Sequence, residues 1–311
     1  MNLTNPIYQD ADKARAHLEA IRWPRGPVCP HCGSESKDHY ELKGKTTRPG
    51  LYKCKDCVQP FTVTVGTVFE RSKIPLNKWV LCAHLMAASK KGYSQHQMHR
   101  TLGVTYKTAW FMTHRIREAM RKNPSGLLGG GGKVVEADEA YFGTENDRTQ
   151  TKGRGGAALK QKNKILALVE RNGEVRSYHV ADVNGENLKE TLKKHIHSDT
   201  HVMTDSSPRY NAMKREKPFK QHSQVNHSKG EYARGEVTTN RVEGFFSVMK
   251  RGLIGTYHHV SSDHLQRYLN EFDFRYNNRD AVGVTDGERT IAALKGISGK
   301  RLTYRRINAA S

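Results

Sequence analysis

Four cysteines near the N-terminus constrain this chain more than any other feature. They form two C-x2-C pairs, Cys29 and Cys32 in VCPHCGS and Cys54 and Cys57 in YKCKDCVQPF. A C-x2-C turn directs two thiolates at one point, and two such turns on facing hairpins complete a tetrahedral zinc site. The stretch between them, 33–53, suits paired knuckles of this kind. Four thiolates leave no open coordination position, so a zinc held by Cys29, Cys32, Cys54 and Cys57 is structural rather than catalytic. His31 and His39 are left out of the ligand set because four cysteines suffice. Phe61, Val63 and Val65 alternate with Thr62 and Thr64 and predict a strand that closes a zinc ribbon. The fifth cysteine, Cys82, lies in a dense apolar helical stretch and reads as core.

Metal is preferred to disulfides because the N-terminus has no apolar run resembling a secretory signal, so a reducing, cytoplasmic setting is expected. No run approaches the roughly 18 apolar residues that a spanning helix needs. The charge is the largest global signal: +21 on 311 residues. Such an excess points to a polyanion, most often nucleic acid, with an acidic membrane surface as the alternative. A mean hydropathy of -0.77 suits several small cores better than one large one.

The pattern divides the chain into an N-terminal helix (1–24), the zinc ribbon (25–72), a helical segment (73–122), a flexible Gly-rich linker (123–132), a region of strands and helices (133–280) and a basic tail (281–311). The expected class is an α+β multidomain protein. In the helical segment, Ser94 and Thr105 read as N-caps and Gly103 as the turn between two helices. In a DNA-binding helix-turn-helix the start of the second helix enters the major groove. That start offers Tyr106, Lys107 and Thr108, followed by Arg115 and Arg117, and these are the expected DNA contacts. An ordinary helical hairpin is the competing reading.

From 133 onward the strands begin. KVVEADEAYFG is β-compatible but carries Glu136, Asp138 and Glu139. Burying Asp138 in such a strand is costly without a partner such as a metal. Glu136 shares its face; Glu139 faces the other way. Gly143 to Lys164 is polar, Gly-rich and basic, and reads as a mobile loop. ILALVERNGEVRSYHVADV predicts a hairpin around Asn172-Gly173, NGENLKETLKKHI a helix, and THVMTDSSPRY a strand ending at Asp205. In TTNRVEGFFSVMKRG, Val242, Phe245, Phe246 and Met249 share one helical side. Asn240, Glu243, Ser247 and Lys250 line its border. One acid on a first strand, one at the end of a fourth and one on a late helix is the layout of a two-metal phosphoryl-transfer site. Asp138, Asp205 and Glu243 would hold two Mg²⁺ ions, and Lys250 would meet phosphate as a point charge.

Together the zinc ribbon, the helical segment, VVEADEAYFG, VMTDSSPRYN, NRVEGFFSVMKRGLIGTYHHVS and HLQRYLNEFDFRYNNR resemble bacterial insertion-sequence transposases of the zinc-ribbon DDE group, from the N-terminal helix to Arg279. The resemblance implies a ribonuclease H-like catalytic domain with a mixed sheet. It places Asp138 and Asp205 as the two aspartates, Glu243 as the third acid and Lys250 as the lysine that follows it. Some relatives carry Asn in the third position, so Asn240 stands beside Glu243 as the alternative. The implied activity is binding of terminal inverted repeats, Mg²⁺-dependent (or Mn²⁺-dependent) end cleavage, and strand transfer into target DNA. The implied partners are double-stranded DNA, both ends and target, with Lys250 and Arg251 near it, and a homodimer or higher assembly in the nucleoid. A nuclease of the same fold, and a zinc-ribbon regulator with an inactive nuclease-like domain, are the other readings.

Overall fold

Short polar turns and a few aromatic residues build the N-terminal part. The structure, a computed structural model, describes residues 2–124, 126–143 and 162–303, and only the backbone of Ser228. The loop expected between Gly143 and Lys164 therefore lies almost wholly outside the described residues, as does the end of KRLTYRR. The chain separates into two compact units, one formed by residues up to Arg121 and from Arg279 onward, the other by Lys122–Asn278.

In the first unit, α1 (Ala11–Arg22) starts where the Asp10 carboxylate accepts the N–H groups of Asp12 and Lys13. Three two-residue strands, β1 (Tyr40–Glu41), β2 (Tyr52–Lys53) and β3 (Pro60–Phe61), pair antiparallel in that order and make the ribbon. Trp23, Tyr52 and Phe61 cluster against it. Helix α2 (Leu76–Ala88) is apolar nearly all round, with Cys82 in the core as expected. Helices α3 (Gln95–Leu102) and α4 (Tyr106–Met120) flank Gly103, which takes the left-handed conformation (φ 59°) that glycine adopts without strain. Ser94 and Thr105 cap them as predicted.

The second unit is built on a five-stranded sheet. Strands β4 (Val134–Phe142), β5 (Asn163–Glu170) and β6 (Val175–Val180) run antiparallel, turning at Asn172 and Gly173. Helix α5 (Gly185–His195) leads to β7 (His201–Asp205), parallel to β4. Helix α6 (Asn211–Glu216) leads to β8 (Gln221–Val225), parallel to β7. The strand order is β6-β5-β4-β7-β8, the mixed ribonuclease H-like sheet that the resemblance implies. A small hairpin, β9 (Ala233–Arg234) and β10 (Val237–Thr238), precedes α7 (Asn240–Gly252) and α8 (Ser262–Asn277).

Strand alternation sorts the core into two layers. Val135, Ala137, Leu166, Leu168 and Val202 pack toward Leu188, Leu192 and Ile196 of α5. Ala140, Ile165, Ala167 and Val169 pack toward Val242, Phe245 and Phe246 of α7 and Leu265, Leu269 and Phe272 of α8. Because both faces of β5 are covered, its sequence is apolar almost throughout.

Strand β6 is an edge, and its outer backbone groups need partners. Helix α8 supplies them. Asn277 accepts from the Val175 N–H (2.7 Å) and donates to the Val175 carbonyl (2.9 Å). Asp273 accepts from the Ser177 N–H and hydroxyl (2.8 and 2.6 Å). Gln266 accepts from His179 N–H and donates to the Ser177 carbonyl. Burial drives the Asp273 carboxyl up to about 8 despite the two Ser177 hydrogen bonds. Part of the residue reaches the surface, but its carboxyl group is enclosed against β6. A carboxyl raised in the folded state favours folding at low pH and loses that contribution as pH rises through the folded value. The melting temperature of Asp273→Asn, measured from about pH 6 to pH 9, is therefore expected to gain on wild type as pH rises.

Two expected segments differ. The region 123–132 is not a loose linker over its second half. Leu128 is buried and pairs with Ile196, and the N–H groups of Gly129 and Gly130 are held by Glu170 and Thr200. Gly129 (φ 79°) has Thr200 so close that a Cβ would collide with it, so glycine here serves close packing. The region 281–311 is not simply a tail. Thr285 and Glu288 form a capping box for α9 (Asp286–Lys295), which packs on α2 through the buried Arg289, Thr290 and Leu294. Its apolar positions were masked by the basic composition around them. Among the described residues no helix is long and apolar enough to cross a membrane.

Candidate active site and metal centre

The ribbon turns bring Cys29, Cys32, Cys54 and Cys57 together, all four sulfurs within 4.8 Å of one another. The Cys29–Cys57 and Cys32–Cys54 Sγ separations are both 3.6 Å. A tetrahedron with Zn–S bonds of about 2.3 Å has edges of about 3.8 Å, so the quartet fits zinc. His31 and His39 are engaged elsewhere, each with a backbone carbonyl.

The acids meet in the second unit. The parallel register pairs Glu136 with Met203. Asp138 follows Glu136 by two residues in β4, and Asp205 follows Met203 by two at the end of β7, so both acids lie on the face that Glu136 and Met203 share. Helix α7 covers that face and carries Glu243 in its first turn. Burial raises the Asp138 carboxyl most, the Glu139 charge adds to it, the Glu139 N–H opposes, and the charges of Asp205 and Glu243 add further, bringing Asp138 to about 7. Asp138 thus feels both other carboxylates. Among the described residues only the cysteine quartet has all its ligand atoms within 4.8 Å, so the acids are near without being that close.

One oxygen of each acid is held. The Glu139 N–H donates to Asp138 (2.8 Å), the Ser207 N–H to Asp205 (3.0 Å) and the Thr239 hydroxyl to Glu243 (2.8 Å). The second oxygen of each accepts no hydrogen bond from the described residues. Three carboxylates with open oxygens, one of them raised by the charges of the other two, are a donor set suited to Mg²⁺. Lys250 is exposed on the same helix, its Nζ 5.9 Å from the centre of the Phe246 ring. Arg251 is exposed, and its Nε donates to the Ser247 carbonyl. Asn240, at the first position of α7, is exposed and makes no side-chain hydrogen bond among the described residues.

Residues 127–277 match the family described as the ISXO2-like transposase domain, and residues 9–59 match the transposase zinc-ribbon domain. A Halobacterium salinarum protein described as an uncharacterized protein in transposable element ISH50 is 30% identical over 270 residues, 83% of this chain and 88% of that relative. The chain belongs to the ISXO2-like transposase family.

In this transposase the helix-turn-helix residues divide. Tyr106 is 43% exposed and Lys107 is exposed at the start of α4, while Thr108 is half-buried, its N–H and hydroxyl turned to Thr105. Arg115 and Arg117 do not face solvent as expected. Arg117 is fully buried and donates to Thr113. Arg115 lies 4.5 Å from the centre of the Phe111 ring and donates to the carbonyls of Glu70 and Leu302. Helix α4 is packed on more than one side, so two arginines read as DNA contacts are spent on holding the unit together.

Other residues around the candidate site are not legible from spacing. His227 lies 3.3 Å from the Glu243 carboxylate and 3.0 Å from the Thr239 hydroxyl. Arg171 meets the buried Glu136 at 2.9 Å. Glu139 faces the opposite layer as predicted, buried beside the enclosed Tyr210, with Arg209 at 3.9 Å. Of these, only Glu136 and Glu139 had a sequence signal, the period-two alternation in β4. Of the late residues, Tyr257 donates to the buried Glu271, which also pairs with Arg275, and Asn277 docks α8 on β6. His258 and His259 are exposed.

Proposed function

We propose that this transposase binds the terminal inverted repeats of its insertion sequence and carries out metal-dependent end cleavage followed by strand transfer. The observation that carries this reading is that Asp138 and Asp205 lie on one face of adjacent parallel strands, the face that α7 covers with Glu243 in its first turn. Asp138, Asp205 and Glu243 would hold two Mg²⁺ ions. Bound there, such ions would supply Lewis-acid activation of an attacking oxygen and neutralisation of a leaving one. Around them the chain orients the scissile phosphate. Lys250 neutralises a phosphate oxygen. In the first step a water oxygen attacks the phosphorus, the bond to the 3′-oxygen breaks, and that oxygen leaves as the 3′-hydroxyl of the element. In the second step this hydroxyl attacks a target phosphodiester. A new bond to phosphorus forms, and the target 3′-oxygen leaves with a proton. The ribbon and the exposed start of α4, with Tyr106 and Lys107, recognise the ends. Pairing two ends calls for a homodimer or larger assembly on DNA.

The test is a labelled element end incubated with target DNA and Mg²⁺. Joined products are expected. Cleavage without joining would favour a nuclease of the same fold, and binding alone a regulator. The third ligand is assigned to Glu243 because its charge acts on Asp138, whereas Asn240 is a weaker Mg²⁺ donor. Glu243→Gln is expected to lose joining, and Asn240→Ala to stay within about tenfold of wild type, the change that 1.36 kcal/mol of barrier makes. Joining retained in Glu243→Gln would move the assignment to Asn240.

A further inference from the structure

Glu136 is an acid that the chemistry above does not use. It is completely buried, on the same face of β4 as Asp138 and two residues before it. One oxygen accepts the backbone N–H groups of Arg241 (2.8 Å) and Val242 (3.2 Å), the second and third residues of α7. The other accepts from Arg171 Nε at 2.9 Å. Arg171 continues outward, donating to the carbonyl of Glu236 (2.8 Å) and to the hydroxyl (3.1 Å) and carbonyl (3.4 Å) of Thr238. Arg171 therefore grips the segment that enters α7, and Glu136 grips the first turn itself.

This has a consequence one residue away. Thr239 is the N-cap of α7, yet its side chain makes no cap hydrogen bond. Glu136 satisfies the N–H groups that a threonine hydroxyl would normally take. The Thr239 hydroxyl is instead turned to Glu243, donating at 2.8 Å. A local cap would satisfy the helix at lower cost than a buried carboxylate does. What the buried pair adds is a fixed distance between β4, which carries Asp138, and the turn that carries Glu243. Charge-assisted hydrogen bonds at a positive helix end are suited to that rigidity.

We propose that Glu136 and Arg171 form a brace that positions Glu243 against Asp138 and so sets the affinity of the acidic site for divalent metal. The brace acts through Glu243 and touches neither DNA nor metal. It rests on the reading of Asp138, Asp205 and Glu243 as metal ligands.

The test uses the full-length, zinc-loaded protein titrated calorimetrically with Mn²⁺ alone, each variant first shown folded by circular dichroism. Glu136→Gln keeps the shape but sets an amide N–H₂ against a donor. It is expected to weaken Mn²⁺ binding about tenfold, as loss of an outer partner of a ligand does. Glu243→Gln is expected to weaken it as much or more. The double variant should be no weaker than Glu243→Gln alone, because the brace has nothing left to position. Wild-type Mn²⁺ affinity in folded Glu136→Gln, or losses that add in the double variant, would overturn the proposal. Should Glu136→Gln not fold, Arg171→Lys carries the same test, since it keeps a charge for Glu136 but loses the reach to Glu236 and Thr238. Asp138→Asn separates the two levels. Wild-type Mn²⁺ binding in that variant would remove the metal site itself and the brace with it, whereas loss there with no change in Glu136→Gln would remove the brace alone.

Discussion

Asp138→Asn should abolish strand transfer and, without metal, leave the protein more resistant to heat. The two effects have one cause. The Asp138 carboxyl is raised to about 7 by burial first, then by Glu139, Asp205 and Glu243. A raised carboxyl contributes stability below its unfolded value, near 4, and loses it as pH rises through about 7. At pH 8 the metal-free wild type therefore holds an ionised, poorly solvated carboxylate among like charges. Asn removes that charge with little change in shape, and the Glu139 N–H retains an oxygen to donate to. The variant's melting temperature at pH 8 should exceed that of wild type by a few degrees, as about 1 kcal/mol does for a chain of this size. Adding Mg²⁺ should raise the wild type and not the variant, because only the wild type has the full ligand set. Joining should fall by at least about a thousandfold, the equivalent of several kcal/mol of lost transition-state stabilisation. Differential scanning fluorimetry with and without Mg²⁺, beside the joining assay, reads both. A metal-free variant that melts below wild type would mean that the Asp138 carboxylate supports the fold rather than waiting for a ligand.

Removing zinc should have the other large effect, and in the other unit. The ribbon strands are two residues each, and their apolar partners are few: Trp23, Tyr52 and Phe61 around one sheet of three strands. Such a sheet is too small to hold itself. The metal supplies the difference, since structural zinc in small domains contributes about 10–16 kcal/mol of folding free energy. Cys54→Ser, or a chelator, should unfold the ribbon. Binding to element ends should fall to the level for unrelated DNA, a loss of at least about a thousandfold. The unit formed by Lys122–Asn278 should keep its own cooperative melting transition, because its core of β4 to β8 with α5, α7 and α8 contains none of the four cysteines. Zinc release measured with a colorimetric chelator, gel-shift titration of end DNA and calorimetry test the three parts. End binding that survives full zinc removal would take the ribbon out of end recognition.

Much of the site was open to a reader of the sequence because its signals are local. The cysteine quartet is a matter of spacing. The placement of Asp138 and Glu136 on one face, with Glu139 on the other, follows from the two-residue period of a strand. The buried side of α7, with Val242, Phe245, Phe246 and Met249, follows from the helical period. The capping residues Ser94 and Thr105 act on groups within three residues of themselves. Arg115 and Arg117 misled because a positive charge in a basic protein reads as surface, and the sequence does not show what packs beside α4. Gly129 read as slack for the same reason: a left-handed backbone pressed against Thr200 looks, in sequence, like a flexible one.

Sequence alone thus determined the spacing of the cysteine quartet, the alternation of faces and the helix that carries Glu243, all set by neighbours within a few residues along the chain. Only the tertiary structure decided which of these groups meet. Glu136 contacts residues 105 and 106 positions away, and Arg171 reaches it across 35. Such pairings depend on strand order and on how α7 lies on the sheet, which no local period encodes. Helix α7 therefore has its polar stripe written in its own residues, while the contacts of Glu136 and Arg171 that hold its first turn are a product of the fold.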